Sequence, residues 1–119
     1  MKFIILFYLI FSISYSQPKQ VCFTIDDLPI VSYGINDSTF QKETVNGLIK
    51  SLTRNKIPAI GFVNESKLYT GGKLLAFKKQ MLTDWVESGL ELGNHTFSHS
   101  DYNNTSFNAF AEDVIKGET

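Results

Sequence analysis

With a single cysteine, Cys22, the chain cannot close an internal disulfide, so its fold must rest on packing alone. Positive charge is not in excess: 11 Lys and Arg stand against 12 Asp and Glu, for a net charge of −1. Without a basic cluster to meet phosphates, nucleic acid is not an expected partner. No apolar run reaches the ~20 residues that span a bilayer. The run from Phe3 to Phe11 follows Lys2 and fades into Ser12-Ile13-Ser14-Tyr15-Ser16. With small residues at Ser14 and Ser16, this pattern predicts a secretory signal peptide over 1–16 and a mature chain from Gln17. The expected location is secreted, periplasmic or cell-envelope, with no stable membrane insertion after cleavage. Internal repeats and low-complexity tracts are also absent, so 17–119 reads as one domain segment. Histidine is scarce: the chain has two, His95 and His99, four residues apart among small and polar neighbours.

The rest of the chain has regular patterning. Val21 to Ile25 is a short apolar run of the kind covered on both faces of a sheet, and it is expected to end at Asp26-Asp27 before Pro29. Ser38-Thr39-Phe40-Gln41 fits a capping box. Phe40, Val45, Leu48, Ile49 and Leu52 then fall on one helical face, bounded by Asn55 and Pro58. Ala59 to Val63 predicts a second buried strand. After Gly71-Gly72, the residues Leu74, Phe77, Met81, Leu82, Trp85 and Val86 predict a second helix, closed by Gly89. Leu90 to Leu92 is a very short third strand leading into Asn94-His95. Ser106 is placed to cap a third helix carrying Phe107, Phe110, Val114 and Ile115. Strand–helix alternation implies an α/β fold with parallel strands. In such folds ligand sites lie at the carboxyl ends of strands. Asp26-Asp27 and His95 are therefore expected on one rim.

Two imidazoles and one carboxylate make a three-ligand set that leaves a metal ion an open position. If the segment from His95 to His99 turns helically, the two rings share a face. Asp27 would join them on the ion, while Asp26 stays off it and accepts a proton from water. A bound divalent ion makes that proton easier to remove. Each element alone is weak, because HxxxH spacing arises by chance and acidic pairs commonly line turns. Their joint placement at two strand ends gives them weight. Thr96 and Ser98 are either supporting hydrogen-bonding residues or ordinary loop polars. Asn94 either orients the His95 turn or caps it. Phe97 and Trp85 are read as core.

Phe23-Thr24-Ile25-Asp26-Asp27 resembles the first motif of the polysaccharide deacetylases, the NodB-homology domain of carbohydrate esterase family 4, with Ile25 in place of an aromatic residue. Glu91 to His99 resembles the second motif, His-Ser/Thr-x-x-His with a Gly-Asn lead-in, and Pro58 to Val63 looks like the second barrel strand. The resemblance runs from Val21 to the end. It implies an incomplete (β/α) barrel of this type, working on acetylated polysaccharide or oligosaccharide. It implies that Asp26 is the catalytic base and that Asp27, His95 and His99 hold a divalent metal, zinc by preference, with cobalt or manganese as alternatives. The family's later Arg-x-Pro-Tyr segment and its later histidine acid have no counterpart up to Thr119. The expectation is an amino-terminal portion of a longer enzyme, inactive alone. The alternative is a non-catalytic metal- or glycan-binding remnant. A phosphoacceptor receiver domain also carries an early acidic pair. The leader, and His95 where an aspartate would be needed, argue against it.

Overall fold

The structure, a computed structural model, describes residues 19–118. The predicted leader, 1–16, lies outside the described residues. The elements in order are β1 (Phe23–Leu28), α1 (Ser38–Arg54), β2 (Ala59–Val63), the short strands β3 (Tyr69–Thr70) and β4 (Lys73–Leu74), α2 (Ala76–Glu87), β5 (Glu91–Asn94) and α3 (Phe107–Lys116). Three strands form one parallel sheet in the order β1-β2-β5. The mixed α/β class with parallel strands is therefore as expected.

The core lies where α1 and α2 cover this sheet. Val45, Ile49 and Leu52 of α1 meet Met81 and Trp85 of α2, together with Leu28, Ala59, Val63 and Leu90. Trp85 is fully buried, and its indole N–H donates to the Glu91 carbonyl at 2.9 Å, so the polar tip has a partner. Gly61, in the central strand, makes this contact possible. A Cβ there would lie 2.1 Å from Leu28 Cδ1 and 3.1 Å from two atoms of the Trp85 ring. Gly61→Ala is expected to destabilise the fold by about 1–3 kcal/mol, as overpacking does. Urea unfolding followed by tryptophan fluorescence measures it.

The structure corrects several sequence expectations. β1 neither ends at Asp26 nor is covered on both faces: it runs to Leu28, and Phe23 is 46% exposed; β1 pairs only with β2 among the described residues. The expected capping box is replaced by Asp37, whose carboxylate accepts from the Thr39 and Phe40 amides at 2.7 and 3.1 Å. A charged acceptor one residue earlier displaces the Ser38 hydroxyl. Gln41 instead donates to the Ile35 carbonyl at 2.7 Å and to Ser32 Oγ. Leu74 belongs to the β3–β4 hairpin rather than to α2, with the Gly71-Gly72 pair at positive φ as its two-residue turn. Phe40, Val86, Phe107 and Ile115 are exposed. Gly89 at φ 79° and Ser106, whose hydroxyl accepts from the Ala109 amide, end and begin helices as expected.

Candidate metal centre

β1 brings the first ligand to the site through an irregularity. Pairing with β2 shifts register between Ile25 and Leu28, and Asp27 sits there at φ 68°, a left-handed conformation that costs a non-glycine residue energy. On the other side of β2, β5 ends in register with it, Asn94 opposite Val63. The His95 amide donates to the Val63 carbonyl at 2.9 Å, so the first histidine leaves the sheet in line with the neighbouring strand. The chain then turns without forming a helix. Thr96 and His99 both have positive φ, and the Thr96 hydroxyl accepts from the His99 amide at 3.0 Å. The expected helical face is thus replaced by a hydroxyl-closed loop, which still brings the two rings to 5.0 Å between centroids.

One ligand atom from each of Asp27, His95 and His99 lies within 4.8 Å of the others. His99 Nε2 is 3.7 Å from Asp27 Oδ1. Ligands bound at about 2.0–2.2 Å from a tetrahedral ion stand ~3.3–3.6 Å apart. The His99–Asp27 pair already stands near that spacing, and side-chain rotations that draw the wider pairs in by about 1 Å would close the set, so the donor types and their grouping fit a divalent cation. Asp26 is exposed, is not part of this cluster, and its side chain has no hydrogen bond or ion pair with another described residue.

Sequence reasoning missed the residues that hold this arrangement. Lys67 lies in the 3-10 turn Glu65–Leu68. Its ammonium donates to the Asp27 carbonyl at 3.1 Å and pairs with Asp27 Oδ1 at 2.9 Å. That hydrogen bond holds the Asp27 carboxyl below its usual range against partial burial, which raises it; the charges of Lys67 and the histidines add to the lowering. Lys78 in turn donates to the Lys67 carbonyl at 2.9 Å.

The histidine loop also hangs on α3. Asp113 accepts from the Ser98 hydroxyl at 2.7 Å and from its amide, while the Asp113 carbonyl accepts from the Phe97 amide. Asn94 Nδ2 donates to the Val114 carbonyl at 2.8 Å, and Asn94 Oδ1 accepts from the Thr96 amide at 2.6 Å. Lys116 lies 3.7 Å above the Phe97 ring. Burial pushes the Asp113 carboxyl up, but the bonds from Ser98, with Thr96 and Ser100 adding to them, together bring it below its usual value. A lowered folded-state value means these bonds stabilise the protein above the unfolded carboxylate pKa of about 4. Their contribution is lost as pH falls through the folded value. Asp113→Asn should therefore melt below wild type at neutral pH, with the gap closing on acidification below about pH 4; calorimetric scans across pH measure this.

The parallel sheet, with a carboxylate and two imidazoles gathered at its carboxyl edge, defines an α/β protein with a candidate divalent-metal centre. Residues 14–118 match the family model of the polysaccharide deacetylases, and the chain belongs to that family. The family comprises hydrolases that act on acetylated polysaccharides and generally depend on a divalent metal. No curated protein and no solved structure gives a significant match.

Proposed function

We propose that the chain is the amino-terminal part of a metal-dependent hydrolase that removes acetyl groups from N- or O-acetylated polysaccharide, folded as the first segment of a (β/α) barrel. The observation that carries this reading is the convergence of Asp27, His95 and His99 in a member of the deacetylase family. These three residues hold the cation, zinc by preference. When bound, it supplies Lewis acidity for an acetyl carbonyl and acidifies water. Asp26 accepts the proton at its carboxylate, which has no partner among the described residues, so that both oxygens are available for that role. The leader over 1–16 directs the protein out of the cytoplasm.

The later oxyanion donor and histidine acid are not among the 119 residues. The chain alone is therefore expected to bind zinc one-to-one and to release no acetate from acetylated glucosamine oligomers. A reading frame continued past Thr119 is expected to encode an Arg-x-Pro-Tyr segment and a further histidine. Its product should release acetate, and Asp26→Asn should abolish the release. Unrelated sequence there, or release indifferent to Asp26→Asn, would overturn the assignment. Zinc binding with no acetate release from the continued product would instead support a non-catalytic metal-binding remnant.

A further inference from the structure

Asn64, the residue after β2, has no solvent exposure. Its backbone amide donates to the Leu28 carbonyl at 3.1 Å, next to Asp27. Its carbonyl accepts from the Lys67 amide at 3.0 Å, which starts the turn bearing that lysine. Its side-chain Nδ2 donates to the carbonyls of His95 and Thr96. One residue thus bonds to the chain flanking the carboxylate ligand, to the turn that carries its ammonium partner, and to the first histidine itself.

Packing does not explain this choice of side chain. Asn64 Oδ1 is buried with no hydrogen-bond partner among the described residues, which costs stability. What Asn64 provides, and an apolar residue would not, is a pair of donors for two carbonyls at the root of the histidine loop. Thr96 is at positive φ, so its carbonyl is held in a direction the chain does not favour unaided.

We infer that Asn64 is a positioning residue that sets the spacing between Asp27 and His95 for cation binding. This rests on the ligand reading proposed above. Outer groups that orient metal ligands typically affect affinity about 10–100-fold when removed. Asn64→Ala in the full chain is therefore expected to weaken zinc binding by about that factor in calorimetric titration. It should also alter the visible spectrum of the cobalt-loaded protein, which reports ligand geometry. A variant that melts earlier but keeps the wild-type zinc affinity and cobalt spectrum would show a merely structural role and overturn the inference. Wild type that binds no zinc would overturn both this inference and the ligand reading; wild type and variant binding equally well would overturn only this one. If the variant does not fold, wild type still decides. The Asn64 side-chain amide protons, followed by NMR during zinc titration, should shift in step with the His95 ring. Resonances that stay still as zinc saturates would refute the inference.

Discussion

His99→Ala is expected to remove tight zinc binding while leaving the fold intact. Two ligands remain where a catalytic site uses three. The loss should therefore exceed the ~10–100-fold typical of an outer-shell partner. The His99 side chain is 58% exposed, so truncation sacrifices little packing. Circular dichroism and melting temperature should match wild type, so that a fall in calorimetric affinity cannot be attributed to unfolding. His95→Ala should cost as much affinity, but it also loses the contact with Phe62 at 6.1 Å between ring centroids. Unchanged zinc affinity in His99→Ala would exclude His99 as a ligand and dismantle the three-residue centre.

Lys67→Met is expected to act in the opposite direction on affinity. A cation on Asp27 must share that carboxylate with an ammonium 2.9 Å away, or push it aside. Unit charges 4 Å apart near a protein surface interact by about 4 kcal/mol, and a divalent ion doubles this. Most of that repulsion is avoidable, because the Lys67 side chain is 29% exposed and can swing outward. A net tightening of about tenfold is expected when the charge is removed. The same substitution deletes the bond to the Asp27 carbonyl, so the melting temperature should fall as affinity rises. Weaker zinc binding in Lys67→Met would mean that the lysine holds Asp27 in place more than it competes for it.

Much of this architecture could be read from the sequence. The α1 stripe of Val45, Ile49 and Leu52, the second strand and the helix boundaries at Gly89 and Ser106 follow from periodicity and capping chemistry. Periodicity identifies an apolar face but not whether anything covers it, and Phe40 and Val86, on the expected apolar faces of α1 and α2, are exposed. Two-residue strands such as β3 and β4 are too short to produce a pattern. Neither could a non-glycine residue at positive φ be expected from composition, so the β1 irregularity at Asp27 was not foreseen. At the site, residue type and spacing singled out the acidic pair and the histidines. Lys67 and Asn64 were invisible because their partners lie 40 and 31 residues away and nothing local distinguishes them from ordinary polar residues.

The suspension of the histidine loop from α3 has a thermodynamic corollary. Asp113 and Val114 fasten the segment that carries both imidazoles, yet neither is among the candidate ligands. Linkage then makes ion capture and ordering of this helix two faces of one equilibrium, each favouring the other by the same free energy. An ion at the sheet's edge would slow amide exchange in a helix it never touches, and fraying of that helix would loosen the grip on the ion.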